Sequence, residues 1–354
     1  MLDLSSARLT TLAVHKVGNK VRNEGVLASK ELFALEEEHM TQILEDYFLK
    51  PFKAEEYFKF SHPSDLNMNE VYTYCRQMFT QPREDFLGIS VHLLTHLYTQ
   101  SAHPHIKSGE LYVAHFRECV VDGQEVEAIG IFKSENKDVF LKVEGQEDQV
   151  AMHAEEGINI KKLDKGCLVF NLYAEDGFSV MMVDKSSEDT TYWREDFLQV
   201  KRIQDNSFQT ESFLNLTRNF VEDVFGREQD KKEQVVFLNR SLNYFAKKKE
   251  FDLDEFKEDV LPSEEYRDQF DDYRNVYETE SGLPPAEEGF AISKFAVRNL
   301  RKHFRTLIKL DTHIEIKLDP RQAEQASEWM ERAYDEQRGM FYYKIYFNEE
   351  LEEE

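Results

Sequence analysis

The sequence predicts an α+β protein: an antiparallel sheet with packed helices in an amino-terminal domain (residues 1–205), then a helical domain ending in a small antiparallel sheet with a basic stripe (residues 206–354). Three observations carry that expectation. Apolar residues recur every three or four positions in residues 32–100, alternate in short runs broken by polar turns in residues 109–184, and return to helical spacing after Phe208. A chain of 354 residues also exceeds the usual single core, so two domains with a boundary near residue 205 are expected.

Each element has its own signal. Residues 7–17 are rich in Leu, Thr and Val and read as a strand closed by Gly18 and Asn19. Leu32, Leu35, His39, Ile43 and Tyr47 mark an amphipathic helix, with Ser29 placed to cap it. Two more helices follow at residues 69–80 and 83–100, separated by Pro82. Asp122 and Gly123, between residues 111–121 and 126–132, signal a hairpin, because that pair tolerates the positive φ angles of a tight primed turn. Val139, Leu141 and Val143 alternate as in a strand, and residues 167–173 and 178–183 form a second hairpin around Glu175, Asp176 and Gly177, which together give a meander of five or more strands.

Beyond the sheet, Phe213, Leu216, Phe220 and Val224 share a helix face stopped by Gly226. Val235, Leu238, Leu242 and Phe245 repeat the pattern, as do Tyr266, Phe270, Tyr273 and Val276 on a helix whose other face is acidic. Residues 281–285 break helicity. Strands are then expected at residues 307–310, 314–318 and 341–347, with a helix at residues 322–334.

Composition narrows the function. With 41% hydrophobic and 13% aromatic residues, global disorder is excluded. No run approaches the ~18 apolar residues of a membrane span, and the amino terminus lacks a basic-then-apolar leader, so an intracellular protein without a membrane partner is expected. Cys75, Cys119 and Cys167 are odd in number and far apart, and read as small buried hydrophobes. The net charge of −25 repels polyanions over the molecule as a whole, so nucleic-acid contact needs a local exception. Acidic runs at Glu36 to Glu38, Glu264 to Asp272 and Glu349 to Glu354 read as solvated faces.

Signatures of catalysis are missing. The closest glycines lie seven residues apart, as at Gly123 and Gly130, which removes the dinucleotide fingerprint and the phosphate loop. Neither a G-x-S-x-G elbow nor an H-E-x-x-H helix occurs, so a non-enzyme without a cofactor is expected. His92, His96, His103 and His105 are the one cluster with metal-ligand character. No Cys or well-spaced carboxylate completes the set, so it reads as a metal-free helix-end cluster.

The local exception lies between Ala291 and Leu310, a window with no acidic residue but with Lys294, Arg298, Arg301, Lys302, Arg305 and Lys309. On one continuous helix these six fall within roughly 100° of arc beside Val297, Leu300, Phe304, Leu307 and Ile308. A strand starting near Leu307 would instead give a shorter helix and an extended basic arm. Either geometry presents cations to phosphates. With equal weight, the stripe neutralises the acidic helix at Glu264 to Asp272, within the same chain or across a dimer. Lys247 to Lys249 end a helix and meet its dipole.

Tyr192 to Leu198 and the helix after Phe208 resemble the bacterial nucleoid-associated protein family of the thirty-seven-kilodalton class. Gly289 to Ser293, Ile308 to Asp311, Tyr342 to Phe347 and the strand around His15 extend the resemblance over most of the chain. It implies a cytoplasmic, nucleoid-located protein that binds double-stranded DNA, forms a homodimer, and influences DNA topology through topoisomerase subunits. It supplies no contact motif, so the six cations rest on their spacing alone. Two functions compete. A DNA binder using all six cations gives a log–log salt slope of roughly −5. An acidic adaptor acts on a DNA-processing enzyme without binding DNA itself. A metal-dependent hydrolase on His92 to His105 is a weaker third.

Overall fold

Apolar runs at the start of the chain find their partners a hundred residues later. The computed structural model describes the chain outside residues 1, 54–55, 82, 147–148, 186–190, 226–230, 262, 282–288, 302–303, 305–306, 319–327 and 350–354. The chain divides into two units, Met1–Ile203 and Gln204–Glu354.

In the first unit β1 (Leu2–Asp3), β2 (Arg8–Val17) and β3 (Val26–Leu27) precede α1 (Glu38–Leu49), β4 (Phe58–Phe60), α2 (Glu70–Thr80) and α3 (Phe86–Gln100). Then come β5 (Gly109–Val121), β6 (Gln124–Ser134), β7 (Lys137–Gln146), β8 (Gln149–Ile158), β9 (Lys165–Phe170), β10 (Ser179–Asp184) and β11 (Val200–Arg202). Nine of these strands form one sheet in the order β11-β4-β10-β9-β6-β5-β2-β3, with β1 also on β5. All its pairings are antiparallel. The β5–β6 turn has φ of 51° at Asp122 and 81° at Gly123, the double positive φ of a primed hairpin.

Alternation sends each strand's side chains into two cores. Leu111, Val113, Ile129, Ile131, Cys167 and Val169 join Cys75, Leu93, Leu97 and Trp193 on the face covered by α2 and α3. Tyr112, Ala114, Phe116, Phe132, Leu168 and Phe170 join Tyr47 and Phe48 of α1 on the other. Coverage on both faces explains why these strands read as nearly continuous apolar runs, and each large side chain buried this way contributes about 1.5–3 kcal/mol. Asn69 caps α2 by accepting from the Tyr72 N–H at 2.9 Å, and its amide donates to the Leu198 carbonyl at 3.0 Å.

The first helix starts later than its periodicity suggests. Residues 32–37 are non-helical. Ser29 is no cap, because its hydroxyl donates to the Val14 carbonyl, while the Phe33 N–H donates to the Leu12 carbonyl at 2.8 Å. Backbone pairing with β2 therefore wins over an uncapped early turn. Strand β8 carries no expectation from sequence, and β7 and β8 pair only with each other.

The second unit runs through α4 (Asn206–Phe220), α5 (Lys231–Lys247), β12 (Glu250–Asp252), α6 (Leu253–Val260), α7 (Glu264–Ser281), β13 (Gly289–Ala291) and α8 (Lys294–Arg301). It ends in β14 (Leu307–Lys309), β15 (Glu315–Lys317), β16 (Met330–Asp335) and β17 (Met340–Ile345), two separate antiparallel pairs. Its core is aromatic: the Phe213 ring lies 4.2 Å from Phe251 and 5.1 Å from Phe256, with Phe220, Phe245 and Phe270 in the same cluster.

Asp205 caps α4 by accepting from the Phe208 N–H at 2.9 Å, and the proposed stop at Gly226 lies outside the described residues. Helix α6, capped by Asp252, has no counterpart among the sequence expectations. Val276 shares its helix face with Phe270 in sequence only, being 56% exposed. The expected helix at residues 322–334 lies partly outside the described residues, and its last part is β16. Met330 and Tyr334 sit four apart, as in a helix, but also on one face of a strand, where Met330 is buried and the Tyr334 ring meets Phe341 across the ladder at 4.9 Å.

Candidate nucleic-acid interface

The basic window folds around its apolar residues. Ser293 opens α8, its Oγ accepting from the Ala296 N–H at 3.2 Å and its own N–H donating to the Thr210 hydroxyl at 3.0 Å. Ala296, Val297 and Leu300 are buried, with Val297, Leu300 and Phe304 entering the aromatic core. Lys294, Arg298 and Arg301 stand at i, i+4 and i+7, so they share the opposite face. The helix is eight residues long, and the chain re-emerges as β14. Lys309 therefore lies on a strand paired with β15 and not on a continuation of α8.

The six cations are therefore not equivalent. Lys294 donates its ammonium to the carbonyls of Phe245 and Ala246, both at 3.0 Å, and of Lys248, at the end of α5. Partial burial holds its pKa below the usual lysine value. This charge serves a helix C-terminus, where cations offset the dipole. Arg298 is exposed, its guanidinium 5.5 Å from the Phe295 ring centre, and Arg301 is exposed beside it. Lys309 lies on β14 in a solvent-exposed ion pair with Glu315 at 2.9 Å. Lys302 and Arg305 lie outside the described residues.

Acidic α7 finds other partners. Asp271 pairs with Lys257 at 3.0 Å and Glu278 with Arg274 at 2.9 Å, and among the described residues no ion pair joins α7 to Arg298 or Arg301. Lys248 pairs with Glu255, which raises the lysine pKa, so the middle lysine of the second basic cluster is held locally while Lys247 and Lys249 are exposed.

Sequence reasoning missed a different set of cations. Lys133 on β6 and Lys165 on β9 are register partners and are 0% and 1% exposed. Lys133 donates to the Lys107 carbonyl at 2.6 Å, the Glu135 carboxylate at 2.7 Å and the Tyr192 hydroxyl at 3.0 Å, while Lys165 pairs with Asp184 at 2.7 Å. Burial lowers the Lys133 pKa against the pull of Glu135, and burial together with Glu135 pushes the Tyr192 phenol far up. Tyr192, Trp193, Phe197 and Leu198 are all buried, so the stretch that carries the family resemblance is a structural one. The only sequence hint was a lysine ending the apolar run into β6.

The histidines disperse. His92 stacks on Tyr74 at 5.6 Å, the His103 and His105 rings lie edge to face, and the two nitrogens of His96 meet the Phe197 carbonyl and the Glu70 carboxylate. Among the described residues no group of three or more His, Cys, Asp or Glu side chains is placed to hold a metal. Cys75, Cys119 and Cys167 are buried, with thiols pushed up by desolvation. No helix among the described residues is long and apolar enough to cross a membrane.

Fold and surface define a mixed α+β protein with a basic helix face on a strongly acidic chain. Residues 13–339 match the family described as nucleoid-associated protein YejK, and the chain belongs to that family. No individual curated protein matches the chain.

Proposed function

We propose that the chain is a non-enzymatic DNA-binding protein of the bacterial nucleoid, holding duplex DNA through backbone phosphates and thereby influencing its topology. The observation that carries this reading is the outer face of α8. Arg298 and Arg301 project from a helix whose other face is locked in a core, and neither is paired with a carboxylate among the described residues. A guanidinium presents a planar fork that matches two phosphate oxygens. Family membership supports a place in the nucleoid.

Because Lys294 caps α5, the stripe offers fewer phosphate contacts than its sequence implies. Arg298 and Arg301 alone give a log–log salt slope of about −2, and with Lys302, Arg305 and Lys309 about −4.5. Titrating native protein into duplex DNA across a salt series tests the reading. A slope in that range, indifferent to base sequence, supports it. Absence of binding at low salt overturns it.

One observation favours the adaptor alternative. Glu264, Glu265, Asp268 and Asp272 are exposed along α7, an acidic stripe able to dock a basic surface such as one on a topoisomerase subunit. That reading gains if a basic DNA-processing enzyme binds the chain while free DNA does not.

A further inference from the structure

Strands β7 and β8 depart from the sheet between β6 and β9, which are themselves neighbours, and form a ribbon paired from Lys137↔Ile158 to Gln146↔Gln149. Ten residues per strand span about 30 Å. The root is bolted down. Asp164 accepts the N–H groups of Glu135 at 2.7 Å and Asn136 at 3.0 Å, Asn159 donates to Asp138 at 2.6 Å, and Lys137 pairs with Glu110 at 3.0 Å.

The register sorts the ribbon into two faces. One carries Phe140, Lys142, Glu144, His153 and Glu155, and it is complete in itself: Lys142 bridges Glu144 at 2.7 Å and Glu155 at 3.7 Å, and the Phe140 ring fills the space over Gly157. The other carries Val139, Leu141, Val143, Val150 and Met152, which remain 62–74% exposed. An apolar strip on a two-stranded ribbon with open edges invites pairing unless something covers it.

We infer that this face is a self-association surface, covered by the same face of a second copy. Charge chooses the occupant. The only cation on the face is Lys137 at the root, already held by Glu110, so a nucleic acid or an anionic membrane finds little to hold. Area agrees. The five exposed side chains offer roughly 600 Å² per copy, so a two-fold pair buries about 1,200 Å², the lower edge of stable interfaces. Symmetry agrees as well, because an isologous pair lays apolar residues on apolar residues and leaves both ion-paired faces in solvent. Glu156, opposite Val139, is the one carboxylate on the face and sets its rim at the root.

Sedimentation of the full chain at tens of micromolar, in enough salt to screen its charge, tests this independently of DNA. The native chain is expected to be a dimer. Leu141→Glu with Val143→Glu should weaken association at least about 100-fold with the melting temperature unchanged, whereas Glu155→Gln on the opposite face should leave the dimer intact. A native monomer, or a dimer that survives the double substitution, overturns the proposal. Leu141→Cys gives a second reading, since the three native thiols are buried. Oxidation should yield a covalent dimer, and failure to do so also overturns it.

Discussion

Two sets of cations, one in each unit of this acidic chain, are handled in opposite ways. Unit Met1–Ile203 buries Lys133 and Lys165 completely and surrounds them with Glu135, Asp184, a backbone carbonyl and the Tyr192 hydroxyl. Unit Gln204–Glu354 holds Arg298 and Arg301 on the outside of a helix anchored by its apolar side. Lys294 stands between these cases, exposed along its stem but with its ammonium spent on three carbonyls. A cation's role here follows from what its neighbours have already offered it, and Arg298 and Arg301 combine exposure on one anchored helix with charges that no carboxylate among the described residues takes up.

Substitutions can break or sharpen that contrast. Removing Lys133 should do the most damage, since Lys133→Met leaves the largely buried Glu135 carboxylate without its cation, while the Tyr192 hydroxyl still donates to it. A loss of about 3–5 kcal/mol in denaturant unfolding is expected, and a loss below about 1 kcal/mol would show that the network is not a mutual dependence. Asn69→Ala removes a helix cap together with the amide bond to the Leu198 carbonyl and should cost about 2 kcal/mol by the same measurement. Lys294→Met should cost about 1 kcal/mol through the end of α5, a structural penalty that a pure DNA-contact residue would not show.

A pH effect sharpens the buried side. His15 accepts the Ser29 N–H at Nδ1 (3.1 Å), so its Nε2–H donates to the Ser90 hydroxyl (2.9 Å), and burial lowers its pKa from 6.5. The folded state keeps the ring neutral while the unfolded state takes up a proton below 6.5. The stabilisation is therefore complete above that value and declines as pH falls through 6.5 toward the folded pKa. Unfolding at mildly acidic and neutral pH should show a shallower pH dependence for His15→Gln than for the native chain. Equal dependence would remove His15 from the account.

Much of this fold is legible in the sequence where local chemistry decides. Asp122 and Gly123 specify their turn, and Asn69 lies one residue before the helix it caps. The failures occur where a distant partner decides. Ser29 reads as a cap until the Val14 carbonyl claims its hydroxyl. Met330 and Tyr334 fit helix and strand equally until Ile345 and Phe341 arrive across the ladder. Alternation in Val139, Leu141 and Val143 reveals a strand but not that its apolar face stays uncovered. At the candidate interface the charge-free spacing of Arg298 and Arg301 was readable, whereas the capture of Lys294 by the end of α5 depends on tertiary packing.

On the proposed reading, phosphate contact belongs to the outer face of α8 and not to the chain's lysines at large. Duplex-DNA affinity of Arg298→Glu with Arg301→Glu, measured beside the native chain at fixed low salt, tests it most directly. Stability should change by no more than about 0.5 kcal/mol, since both side chains are surface groups. Binding should disappear in the double variant while it persists in Lys294→Met. Binding that survives the double charge reversal in a folded protein would contradict the account.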